Sequence, residues 1–283
     1  MTFKKIRFVT DSTCDIPEDV ARKWEITVVP TYVNIGDGSY ADDGVELDRE
    51  DYFNRLPTLN PFPTTAAPSP GVARQKIDEA MSGADHVVIV TAPAGLSAIY
   101  ESMRLGAAHL PPEQVTLIDG RTVTMWLGYQ VLIGAEVAAE TGDLAQVLAA
   151  VEQVREHGYF AAMINSLDNL RRSGRINLAA AGIGALLQVK PIVTIKDEVK
   201  VLSRVRTARR ARDELVHMMR AHGPLERVSL LHVNNPEGIA WLREQVADIL
   251  PQEVFEVNVS PTLGTHVGAQ SLGYAIVQKN WRL

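Results

Sequence analysis

The first half of the chain repeats an order of strand, loop and helix, and this order constrains the fold more than any other feature. HVVIVT at 86–91 is a continuous apolar run, APAGLS follows as a loop, SAIYESMRLGAAHL reads as a helix, and VTLID at 115–119 is the next strand. Two more helices are expected over about 122–140 and 143–157. Strand, helix, strand at this spacing is the βαβ unit, which makes a parallel sheet with helices on both faces. Ligands of such sheets sit outside the carboxyl ends of the strands. Three loops leave strands in that direction: DSTCD after a strand at 6–10, APAGLS, and DGRT after the strand at 115–119.

The remaining elements of this half are shorter. ITVVP at 26–30 and YVNI at 32–35 carry β-branched strand signals, and DREDYFNRL at 48–56 reads as a helix with acidic residues at its start. FPTTAAPSPG at 62–71 reads as a stiff loop that projects Thr65. It leads into a helix with Ser69 as N-cap and Pro70 at the first helical position, where a missing N–H costs nothing. Ser97 is expected to cap the helix after APAGLS, and GTHVG at 264–268 is expected to lie in a glycine-rich loop.

The texture changes near residue 157. YFAAMIN at 159–165, a KPIVTI/VKVLSRV hairpin, RVSLLHV and VFEVNV are strands, with a basic helix over about 207–221 and another from Pro236. NLAAAGIGALLQV at 177–189 reads as an apolar helical segment suited to close packing or to lining a dry channel. This is α+β texture, so two domains are expected, 1–157 and 158–283.

Composition limits the function classes. No apolar run approaches the ~20 residues that span a bilayer, and the N-terminal residues lack a signal-peptide pattern, so a cytoplasmic protein is expected. The single cysteine, Cys14, excludes an intrachain disulfide and a cysteine metal cluster. A net charge of -6 argues against nucleic acid as a partner, despite RVRTARRAR at 204–212. There is no phosphate-cradling G-x-x-x-x-G-K-[ST] and no H-E-x-x-H, so neither a nucleotide nor a metal cofactor is expected.

The chemistry-bearing residues have two readings. Asp11, Ser97 and His266 on strand-end loops could serve a hydrolase or transferase acting on a small phosphorylated or acyl substrate. Yet Asp11 lacks the second acid two residues on that an aspartyl nucleophile would use, and it can equally cap its own turn. Ser97 at a helix start could instead hold a carboxylate without any lysine or arginine.

Read in order, VTDSTCDIP, PTTAAPS, LSAIYES, SLDNLRRSGRI, KPI, RT and GTHVG resemble the DegV family, the fatty-acid-binding subunits of bacterial fatty acid kinase. The likeness runs over essentially the whole chain. It implies a parallel three-layer α/β/α N-terminal domain, with a fatty acid in an apolar tunnel. A two-layer α/β C-terminal domain with a mixed sheet would close over the carboxylate. It implies that Thr65 and Ser97 hold the carboxylate with His266 nearby, and that Arg171, Arg175 and Arg206 match the surface that docks the kinase subunit. It implies a non-catalytic carrier in phospholipid metabolism, with no integral membrane segment but with transient membrane contact allowed. Two departures thin the polar cradle. Ala66 and Ala67 stand where the family has Ser-Gln, and Pro93 and Ala94 precede Gly95-Leu96-Ser97 where it often has Ser-Ser.

Overall fold

The computed structural model describes residues 5–176 and 189–282. All but the last residue of the NLAAAGIGALLQV segment lie outside the described residues. The βαβ expectation holds. Strands β1 (Ile6–Asp11), β2 (Thr27–Val29), β6 (His86–Thr91) and β7 (Val115–Asp119) form a parallel sheet in the order β2-β1-β6-β7. Every residue of β6 is buried, because a strand covered on both faces has no solvent side to alternate with. After the short helices α1 (Glu18–Lys23) and α2 (Arg49–Arg55), helices α3 (Pro70–Met81) and α4 (Ile99–Gly106) pack on each other and on this sheet.

Helix α5 (Thr124–Thr141) joins the two halves. Residues 124–135 are buried on every face, as a helix apolar all round requires. It packs on β1 and β6 and, on its other side, on β8 (Gly158–Met163) and β13 (Leu272–Gln278). Gly142 ends it in a left-handed conformation, with its N–H on the Ala138 carbonyl, and the Asp143 side chain then caps α6 (Leu144–His157). The hydrophobic core runs without a break from β1 and β6 through α5 to Phe160, Leu231 and Ala275.

The second sheet is mixed and has six strands in the order β10-β9-β8-β13-β11-β12. The expected hairpin is β9 (Lys190–Lys196) with β10 (Glu198–Val205). Strands β11 (Leu225–His232) and β12 (Val254–Asn258) supply its parallel pair. The short helix α7 (Asp168–Arg172) follows β8, helix α8 (Ala208–Ala221) packs on β8 to β10, and α9 (Pro236–Gln245) packs on β11. The chain passes from the first sheet to the second at Gly158, while the core bridges both.

Three local readings change. Thr64–Ala66 is a strand, β5, paired antiparallel with β3 (Tyr32–Ile35), and β4 (Gly38–Ala41) completes a small third sheet. Two adjacent threonines favour extended backbone, so the stiff loop is an edge of a sheet. GTHVG is not a loop: α10 (Pro261–Val267) carries His266, started by the Ser260 hydroxyl accepting from Leu263 N–H and by Pro261 at the first position. Ser97 is not the N-cap of α4. Ala98 holds that place, and the Ser97 hydroxyl accepts from Ile99 N–H at 3.3 Å.

At the centre of the second sheet, backbone meets backbone closely at Gly273. A Cβ there would lie 2.6 Å from the Ala161 carbonyl oxygen and 3.0 Å from Ala162 Cα. Overpacking of this kind costs about 1–3 kcal/mol, so Gly273→Ala is expected to lower the melting temperature by several degrees. A melting curve that does not move would refute this packing.

Candidate functional site

The carboxyl ends of β1, β6 and β7 face the second sheet across a cavity of about 340 Å³, a size within the range of small-molecule sites. Its body is apolar: Leu96 and Ile99 on the α4 side, Val123 before α5, Phe160 on β8, Leu231 on β11, and Val259. The DGRT loop closes one flank by gripping the turn of the β9–β10 hairpin. Arg121 donates from Nε and Nη2 to the two Asp197 carboxylate oxygens at 2.6 and 2.5 Å, Asp197 N–H donates to the Arg121 carbonyl at 2.8 Å, and the Thr122 hydroxyl donates to the Ile195 carbonyl at 2.9 Å.

Thr65, Ser97 and His266 all line this cavity. Thr65 is the middle residue of β5, and its Oγ1 lies 3.1 Å from His266 Nε2 on α10. His266 Nδ1 is buried and has no partner among the described residues. Burial, with the Arg175 charge adding to it, pushes the His266 pKa down to about 3, so the imidazole is neutral at ordinary pH. We assign the single proton to Nε2, since an unpaired buried N–H at Nδ1 would cost more than an unused acceptor. Nε2–H then donates to Thr65 Oγ1.

Two hydroxyls therefore have the same polarity. A hydroxyl has one donor proton and two acceptor pairs. Thr65 Oγ1 accepts from His266 and Ser97 Oγ accepts from Ile99 N–H, so each keeps its own proton to give. Ser97 also stands just before the first turn of α4, where free N–H groups and the helix dipole favour an anion. Ala66, Ala67 and Pro93 line the cavity as apolar surface, while Ala94 is exposed and donates its N–H to Asp119 Oδ2.

The arginines separate. Arg171 and Arg206 are exposed. Arg175 is half-buried and lines the cavity, with Nη1 donating to the Ser173 carbonyl at 2.5 Å. Of the basic helix α8, Arg209 and Arg210 are exposed and Arg212 stacks over Trp241 at 5.3 Å.

The structure does not bring Asp11 together with Ser97 and His266. The Asp11 carboxylate is fully buried: Oδ1 accepts from Thr13 N–H at 3.0 Å and Thr13 Oγ1 at 2.5 Å, and Oδ2 accepts from Ala92 N–H at 2.8 Å. Burial raises its pKa. With its acceptors engaged and no place in the cavity lining, it ties the end of β1 to the end of β6. The described residues contain no group of three or more His, Cys, Asp or Glu able to hold a metal, and no described helix is long and apolar enough to cross a membrane.

Sequence reasoning missed four cavity threonines, Thr13, Thr31, Thr124 and Thr262. For Thr262 a signal was present: Ser260-Pro261 is a helix start, which would have placed Thr262 and His266 one turn apart on the same face of a helix.

This combination defines an α/β protein with an apolar ligand cavity at the carboxyl ends of its parallel strands. Residues 5–279 match the model of the DegV family, described as an uncharacterised protein. The chain belongs to the DegV family. A DegV domain-containing protein of Listeria innocua is 30% identical over 279 residues, covering 95% of this chain and 97% of that protein. One from Deinococcus radiodurans is 30% identical over 276 residues, covering 96% and 98%. Among solved structures, a DegV family protein from Thermus thermophilus, described as binding fatty acid, is 30% identical with a TM-score of 0.87, covering 97% of this chain and 99% of that one. DegV of Bacillus subtilis, described as a fatty acid binding protein, shares the fold with a TM-score of 0.86 at 24% identity, covering 97% and 99%.

Proposed function

We propose that this protein is a non-catalytic carrier. It binds a long-chain fatty acid in the cavity and presents the carboxylate to a separate kinase subunit that converts it to an acyl phosphate. The observation that carries this reading is that Thr65 and Ser97 both line a cavity whose body is apolar; with the His266 proton on Nε2, each hydroxyl keeps a proton to give. The acyl chain supplies affinity: at about 0.8 kcal/mol per buried methylene, ~15 methylenes offer on the order of 12 kcal/mol before the costs of association. The head group needs only donors, since a buried unpaired carboxylate would be costly. The Thermus relative and its fatty acid support the ligand class. The kinase partner rests on the family resemblance, with the exposed Arg171 and Arg206 as its docking candidates; a cytoplasmic setting follows from that partnership.

The test is mass spectrometry of an organic extract of the purified protein. A long-chain acid at near one equivalent is expected. Finding none, together with no uptake of added acid by the purified protein, would sink the reading.

A further inference from the structure

Thr65 and His266 meet at 3.1 Å from elements that no strand pairing joins: β5 of the small three-stranded sheet, and α10. With seven residues, α10 is too short to keep its place without tertiary bonds. A hydrogen bond at this distance does not survive a shift of about half an ångström. Something outside the cavity must therefore fix α10 against the small sheet.

Two buried side chains do so, and neither lines the cavity: Asp42 is 2% exposed and Tyr52 is 1% exposed. Asp42 directly follows β4, and its N–H donates to the Thr31 carbonyl, just before β3, at 2.8 Å. Its Oδ2 accepts from Thr262 N–H in the first turn of α10 at 3.1 Å. Beside this bond Thr31 Oγ1 lies 2.6 Å from Thr262 Oγ1. Asp42 thus ties α10 to the sheet in which Val33 pairs with Thr65. Asp15 makes a different tie, because its bond to Ser260 N–H leads to the loop after β1.

Tyr52 on α2 holds the other end of α10. The Thr265 hydroxyl donates to the Pro261 carbonyl at 2.8 Å, so the Tyr52 hydroxyl, 2.5 Å away, is the donor to Thr265. Burial pushes the Tyr52 pKa up to about 12, so that proton stays in place. Thr265 is the residue before His266.

We propose that Asp42 and Tyr52 are positioning residues for the head-group site, holding α10 so that His266 keeps its bond to Thr65. This deepens the fatty-acid reading and rests on it. With His266 Nε2–H on its acceptor side, the Thr65 hydroxyl is oriented to give its own proton to a carboxylate. If α10 shifts, that orientation is lost, while the apolar body of the cavity still holds the acyl chain.

A fatty acid and the alcohol of the same chain separate these two effects. The probes are hexadecanoic acid and hexadecanol, each competed against a fluorescent long-chain acid on delipidated protein. One hydrogen bond to a charged head group accounts for about 10- to 100-fold in affinity. Asp42→Ala is expected to lower the acid-to-alcohol affinity ratio by about 10-fold, with the alcohol affinity within a few-fold of wild type. Asp42→Asn keeps an acceptor for Thr262 N–H and is expected to keep the wild-type ratio. Tyr52→Phe removes only a hydroxyl, guards against misfolding of Asp42→Ala, and is expected to lower the ratio by about 3-fold. An unchanged ratio in Tyr52→Phe, an equal loss for acid and alcohol, or a loss in Asp42→Asn as deep as in Asp42→Ala overturns the proposal while the wild type still prefers the acid. Wild-type protein that binds neither probe overturns the fatty-acid reading itself.

Discussion

Thr65→Ala combined with Ser97→Ala is expected to weaken fatty-acid binding by roughly 10²- to 10⁴-fold while leaving the fold intact. The magnitude follows from the charge on the ligand, since hydrogen bonds to charged groups contribute about 1.5–3 kcal/mol each. Each of the two hydroxyls also keeps its own proton to give, because His266 and Ile99 already serve their acceptor sides. Both side chains are only half-buried, and the bonds lost are the neutral ones to His266 and to Ile99 N–H, so truncation should cost little stability. Titration of a fluorescent long-chain acid into wild type and double variant measures the ratio directly, and circular dichroism checks the fold. An affinity within a few-fold of wild type would remove Thr65 and Ser97 from the site. His266→Gln is an informative companion, because its amide N–H can replace the Nε2–H donor to Thr65.

Strong local signals made much of this architecture legible in the sequence. The continuous β6, the Ser69-Pro70 start of α3 and the Asp143 start of α6 are written in adjacent residues, and each appears where expected. The failures share a cause. Strand β5 is three residues long and exists because Val33 pairs with Thr65, which no local pattern states. The glycines of GTHVG masked a seven-residue helix that packs on Tyr52 and Phe53: Phe53 lies against Gly264, and the Tyr52 and Thr265 hydroxyls lie 2.5 Å apart. The cavity wall was the least legible part. Thr124 is 109 residues from Asp15, Ser260 is 245 residues from it, and His266 is 201 residues from Thr65. Threonines and aspartates near strand ends read as turn formers one at a time. Only the fold shows that their polar groups face one another.

Asp15→Asn is expected to make the delipidated protein progressively more stable than wild type as the pH rises from about 4 to about 7. Burial pushes the Asp15 pKa up to about 7, against the pull of Arg49 and the bonds from Thr124 and Ser260. In the unfolded chain the same carboxyl titrates near 3.9. Between those values the folded protein holds a proton that the unfolded chain has released. The stabilisation is therefore fully present below about pH 4 and is lost as the pH rises through 7. The integrated loss for Asp15 is on the order of 4 kcal/mol. Asn is the neutral mimic: its amide oxygen can accept from Ser260 N–H, while its amide nitrogen takes the place of the Oδ2 that accepts from Thr124, so the Thr124 hydroxyl must turn to accept from it. His266 works in the opposite direction. Its pKa is pushed down to about 3, so the unfolded chain takes up a proton below about 6.5 that the folded protein refuses. Stability from this group is gained as the pH rises from 3 to 6.5. The two slopes oppose each other across most of the acid range, and each variant exposes the slope its partner had offset. Melting temperatures of wild type, Asp15→Asn and His266→Gln across pH 4 to 8 test this. The Asp15→Asn advantage should grow to several degrees and level off above 7, while the His266→Gln advantage should be greatest at the acid end. An Asp15→Asn difference that stays constant or shrinks with rising pH would show that the buried carboxyl is already ionised in the folded protein at pH 4.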